Sequence, residues 1–169
     1  MAEYQFLGEG NAVPYDAFGY TVLRKFIDVA DLVLYPQKLA LASTPTVPLS
    51  AFTGFASGDI LNVFHIPAGF VGVCGGSYIE TADSTQTTAA FAIGDGGNTA
   101  GFQAAAAVDG ASWQGTLDND AYGGATRTGY GYIVADTIDL LFSVQTMIDA
   151  AFHVYIIGCK AFDLLGADV

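Results

Sequence analysis

No stretch of this 169-residue chain keeps an apolar period of about 3.6 over a helical length, and glycine recurs every few residues, 21 times in all. What repeats instead is a period of two. In Thr137 to Gln145, TIDLLFSVQ, the residues Ile138, Leu140, Phe142 and Val144 alternate with Thr137, Asp139, Leu141, Ser143 and Gln145. Only Leu141 breaks the polar side, so the stretch reads as a strand with one buried face. After a turn near Ile148 and Asp149, Ala150 to Phe162 is nearly continuous in aromatic and β-branched residues. That pattern predicts a central strand covered on both faces, paired with its predecessor as a hairpin.

The same reading places strands at Tyr20 to Val29, Asp59 to Ile66, Phe70 to Ala82, Thr87 to Ile93 and Gly129 to Val134. Pro67-Ala68-Gly69 is the turn of a second predicted hairpin, with Gly69 free to take positive φ. Gly72, Gly75 and Gly76 mark a bend, a bulge or a close approach. About seven or eight strands with turn signals between them predict an all-β fold, a two-sheet β-sandwich. Long hairpins separated by one long excursion favour the jelly-roll order.

Residues 20–169 then form one sandwich domain, with an excursion at 98–128 that carries Trp113 and Tyr122. A second connection, Ser43 to Gly58, is punctuated by proline. Residues 1–19 form an N-terminal extended arm. Tyr4, Phe6, Leu7, Tyr15 and Phe18 make it too apolar for a free tail; it either packs on its own sandwich or crosses to a neighbouring subunit. With Trp113 and Tyr122, these five are the candidate subunit or partner contacts, since long excursions in compact domains serve function or contact.

Charge narrows the partners. The net charge is −12 because bases are rare: five Lys and Arg face seventeen Asp and Glu. Arg24, Lys25, Lys38, Arg127 and Lys160 are too few and too scattered for a nucleic-acid surface or an anionic membrane. No basic-then-apolar leader and no run approaching the ~20 residues of a membrane span is visible. A chain that is 52% hydrophobic without a span needs another outlet, and a buried subunit interface is the ordinary one.

Motifs for chemistry fail on spacing. FAIGDGGNTAGF, Phe91 to Phe102, carries four glycines with Asp95 and Asn98, but lacks the G-K-[ST] ending of a phosphate loop. It reads as a turn, with Gly94-Asp95-Gly96-Gly97 supplying positive φ and Asp95 and Asn98 bonding their own backbone. Calcium at Asp95 or at Asp118 to Asp120 is the weaker alternative, because the spaced carboxylates and closing Glu of a calcium loop are missing. His153 and Cys159 are about 20 Å apart along one strand, and His65 and Cys74 fall out of register, so no zinc site is expected. Cys74 and Cys159 read as buried thiols, with a disulfide between them left open. No nucleophile elbow occurs. The expectation is a protein that is not an enzyme, with no catalytic, cofactor or metal residues.

Several segments together resemble a known class. GDILNVFHIPAG is followed by the valine- and glycine-rich FVGVCGGSYIETAD, then by TAAFAIGDGG, and the chain closes with YIVADTIDLLF and FHVYIIGCKAFDL. Over roughly Tyr20 to Leu164 this resembles the small virion structural proteins of tailed bacteriophages, in particular capsid decoration, or cement, proteins. The resemblance implies a jelly-roll homotrimer on the capsid exterior that binds the major capsid protein and clamps neighbouring subunits. It implies assembly in the host cytoplasm without a signal peptide. The competing reading is a carbohydrate- or receptor-binding module of a phage tail or fibre, with Trp113, Tyr122, Tyr130 and Tyr132 stacking on sugar rings.

Overall fold

The computed structural model describes residues 1–7, 15–17, 20–86, 88–114 and 130–160. Among them the chain is a sandwich of two sheets. The strands are β1 (Glu3–Phe6), β2 (Tyr15–Ala17), β3 (Tyr20–Asp28), β4 (Leu39–Leu41), β5 (Ile60–Ile66), β6 (Phe70–Thr81), β7 (Ala90–Gly94), β8 (Gln103–Ala107), β9 (Ser112–Gln114), β10 (Tyr130–Gly131), β11 (Asp136–Ser143) and β12 (Ala151–Lys160). Sheet A runs β4-β1-β5-β11-β7-β8; sheet B runs β10-β6-β12-β3-β2, with β9 also on β6. One short helix, α1 (Val29–Leu34), follows β3, its first turn capped by the Asp28 carboxylate accepting from the Asp31 N–H. No helix of the described residues is long and apolar enough to cross a membrane.

Alternation puts one side of each sheet inside. Leu61, Phe64, Phe91, Ile93, Ile138, Leu140 and Phe142 come from sheet A; Leu23, Ile27, Ile79, Phe152, Val154 and Ile156 come from sheet B. The two layers meet where Phe91 stacks on Phe152, ring centroids 4.5 Å apart. Phe55, from the long connection after β4, stacks on Phe142 at 4.1 Å, so that connection fills the core rather than skirting it.

Both predicted hairpins are corrected. β5 and β11 lie in sheet A, whereas β6 and β12 lie in sheet B. Each pair is an arch across the core, not a ladder. The buried Ile138, Leu140 and Phe142 of β11 and the buried Phe152, Val154 and Ile156 of β12 all lie in the common core. An alternating pattern serves a hairpin and an arch equally, so local sequence does not separate them. Gly69 does take positive φ, at 86°.

Two glycine assignments sharpen. A Cβ on Gly75 would sit 2.4 Å from Ile156 Cδ1 and 3.1 Å from Phe102 Cβ, so close approach, not a bend, requires glycine there. Positive φ is absent from Gly94, Gly96 and Gly97, contrary to expectation. Gly94 is needed because a Cβ would meet the Asn98 carbonyl oxygen at 2.0 Å. The excursion is also more ordered than its pattern implies. Its alanine run is β8, an edge strand on β7, and β9 pairs with β6; alanine on a half-exposed edge leaves no apolar alternation to read.

The N-terminal residues expected as an extended arm place β1 inside sheet A, parallel to β5 and antiparallel to β4. Asp59, almost fully buried, accepts from the N–H groups of Ala2 (2.7 Å) and Ala56 (2.9 Å) and ties the strand down.

Asp83 ties the arches together. Its carboxylate accepts from the N–H groups of Thr85 and Gln86 on its own loop, and of Ile148 (2.7 Å) and Asp149 on the β11–β12 connection. Burial pushes its pKa up, but these donors outweigh that and hold it below the usual carboxylate range. The linkage sign follows: the stabilisation is present above the ordinary carboxylate pKa and is lost as pH falls through the lower folded value. Asp83→Ala is expected to cost about 3 kcal/mol in urea unfolding at pH 7 and to flatten the acid limb of the stability profile. An unchanged acid limb would show that Asp83 is not the latch.

Candidate binding surface

The outer faces of the two sheets differ in chemistry. On sheet A, alternation sends Glu3, Gln5, Asn62, Thr137 and Asp139 outward. Asn62 Nδ2 donates to Glu3 Oε1 at 3.0 Å. Between this face and the β7–β8 turn is a small cavity of about 90 Å³, bordered by Asp95, Thr99 and Asp139.

Asp95 is spoken for within the fold. Its Oδ1 accepts from the N–H groups of Gly97 (2.9 Å) and Asn98 (2.8 Å), and its Oδ2 accepts from the Tyr132 hydroxyl at 3.0 Å. As its turn position predicts, the carboxylate bonds its own backbone, and it also ties Tyr132, just after β10, to the turn between β7 and β8. Among the described residues no group of three or more His, Cys, Asp and Glu could hold a metal ion. Asp118 to Asp120 lie outside the described residues.

Asp139 is raised to a pKa of about 6, chiefly by burial and further by Glu3, Asp136 and Asp95, against a lowering bond from Thr137. Its Oδ1 is buried without a hydrogen-bond partner. A carboxyl raised in the fold favours folding fully below its unfolded pKa and loses that contribution as pH rises through about 6.

Sheet B turns an apolar face outward. Behind the buried Leu23, Ile27, Phe152, Val154 and Ile156, the alternate positions carry Val22, Arg24 and Phe26 on β3, and His153, Tyr155 and Ile157 on β12. Tyr78 and Glu80 join from β6, and a groove of about 730 Å³ lies along these strands. Phe26 is 47% exposed and Tyr20 46%. Burial raises the pKa of both Tyr155 and the Cys74 thiol. Cys74 and Cys159 are both buried and no disulfide joins them; His65 belongs to sheet A and Cys74 to sheet B.

His153 centres this face. Arg24 Nη2 lies 3.1 Å from its Nδ1, and Glu80 Oε2 lies 3.2 Å from its Nε2. With Nδ1 accepting from the guanidinium, the ring N–H sits on Nε2 and donates to Glu80. Phe26 packs on one side of the ring at 4.8 Å, and Tyr78 stacks at 6.4 Å. In backbone register, Phe26, His153, Tyr78 and Trp113 form one row across β3, β12, β6 and β9.

The residues singled out from sequence separate into three groups. Tyr4 packs edge-on against Phe52 (5.5 Å) and Phe55 (5.6 Å) in its own core. Phe6 carries the Lys25 ammonium 3.6 Å above its ring, and Leu7 donates its N–H to the Lys38 carbonyl. Tyr15 pairs with Val22 at the edge of sheet B, and Trp113 pairs with Tyr78. Phe18 and Tyr122 lie outside the described residues. Sequence reading missed Arg24, Phe26, Glu80 and Tyr155; the available signal was that β3 and β12 are apolar on both sides.

The fold and this face define an all-β sandwich whose second sheet offers a largely apolar outer surface with one cation, Arg24, and one anion, Glu80, on either side of His153. Two solved structures share the architecture over nearly the whole chain. One is a chain of the cyanophage Pam1 capsid asymmetric unit, with TM-score 0.51, 18% identity, and coverage of 89% of this chain and 93% of that one. The other is a chain of the capsid of Ralstonia phage GP4, with TM-score 0.58, 14% identity, and coverage of 94% and 98%. At these identities the likeness is one of fold. No protein-family model and no curated protein matches the chain.

Asp139→Asn is expected to raise unfolding free energy at pH 8 by about 3 kcal/mol and to leave it nearly unchanged at pH 3, below the unfolded pKa. Denaturant titrations at the two pH values check this; an equal gain at both would assign the effect to packing.

Proposed function

We propose that this chain is a capsid decoration, or cement, protein that binds the outer surface of a phage head as a trimer and clamps neighbouring copies of the major capsid protein. The observation that carries the reading is the near full-length likeness in fold to chains in two phage capsids. Composition supports it from another side. A −12 charge keeps the free protein soluble and disfavours contact with packaged DNA. A clamp needs no reacting group: it stabilises the assembled shell by binding it and not its dissociated parts, through mass action. Capsid contact is proposed for the segment around Trp113 and Tyr122, with Leu7, Tyr15 and Phe18 as further contacts from the N-terminal side.

The test is cosedimentation of the purified chain with heads of the parent phage assembled without it. Saturable binding that lowers the shell's rate of thermal rupture is expected, with affinity falling about tenfold or more for Trp113→Ala. Absence of binding to such heads would overturn the proposal.

A further inference from the structure

We infer that the outer face of sheet B is where copies of this chain associate, the occupant of its groove being a second copy. The first support is the strand itself. β12 is the central strand of sheet B, and AFHVYIIGCK is apolar on both sides, the pattern of a strand whose two faces are covered. The core covers one of them. The other lines the groove with His153, Tyr155 and Ile157, and Phe26 on the neighbouring strand is half-exposed.

The second support is charge. Two copies of a protein with seventeen acids and five bases repel wherever acids face acids. The groove lining holds one acid, Glu80, and one base, Arg24, and so carries no net repulsion.

The third is arrangement. Arg24 stands on β3 and Glu80 on β6, with His153 of β12 between them at 3.1 Å and 3.2 Å. A rotation axis running alongside β12 brings the β3 side of one copy against the β6 side of the next. Arg24 of each copy then faces Glu80 of its neighbour, and Phe26 faces Tyr78. The face is thus complementary to itself under a cyclic rotation, which closes the assembly without leaving an open end. A largely apolar core beside a balanced charge pair is how such contacts gain both affinity and register. The number of copies rests on the decoration reading above; the contact itself does not.

Sedimentation equilibrium of the full chain, without capsids, tests this. The wild-type protein is expected to self-associate, and Phe26→Asp to raise the dissociation constant about tenfold or more. Arg24→Glu and Glu80→Arg should each weaken association by about tenfold, and mixing the two variants should recover it in large part, because unlike neighbours supply the charge each lacks, at every contact of a pair and at two of the three contacts of a ring of three. Restoration on mixing cannot come from the network within one chain around His153. Thermal melts of the three variants, expected to match the wild type, show that each folds. A wild-type chain that stays monomeric, or association that all three substitutions leave unchanged, overturns the inference. A monomer that still binds heads would leave the decoration reading standing while assigning this face to the capsid; an associating chain that ignores heads would do the reverse.

Discussion

The face-to-face seating of Phe91 on Phe152 is the contact on which the rest of the molecule depends. It joins β7, one strand in from the edge of sheet A, to β12, the middle strand of sheet B. Around it β5 and β6, like β11 and β12, are adjacent in sequence but lie in different sheets and cross the core instead of pairing. The seating also dictates where side chains must be missing: Gly75 makes room for Ile156 and Phe102. Protein interiors pack at crystal density, so a bulky ring on one strand implies a small residue opposite.

Connections and turns leave backbone N–H groups that no ladder satisfies, and carboxylates take over that role. Asp83 gathers N–H groups from two connections, Asp59 holds the start of β1, and Asp95 binds its own turn together with Tyr132. All three are nearly fully buried. In a chain this acidic, several acids are therefore structural, and the tally of seventeen overstates the charge that a partner meets. Asp139 is the exception, a carboxyl whose partners do not offset its burial.

The division of labour between the sheets follows from their outer faces. Sheet A turns acids and amides to water. Sheet B turns Val22, Phe26, Tyr155 and Ile157 outward around a His153 held between a cation and an anion. Hydrophobic burial gives a contact its driving force, while a charge pair sets its register.

The strand content, the buried alternation of β11 and the near absence of helix were legible in the residues alone, because a period of two is a local quantity. The two-sided β12 was legible too, as a strand without a polar side. Tertiary structure alone decided that the two predicted hairpins are arches, that Gly94 serves close approach, and that Asp95, besides bonding its own backbone as its turn position predicts, accepts from the Tyr132 hydroxyl. It alone brought Arg24, His153 and Glu80 together from three strands. Alternation records which side of a strand is apolar; it does not record which neighbour lies beside it. That choice is made by burial summed over both sheets at once.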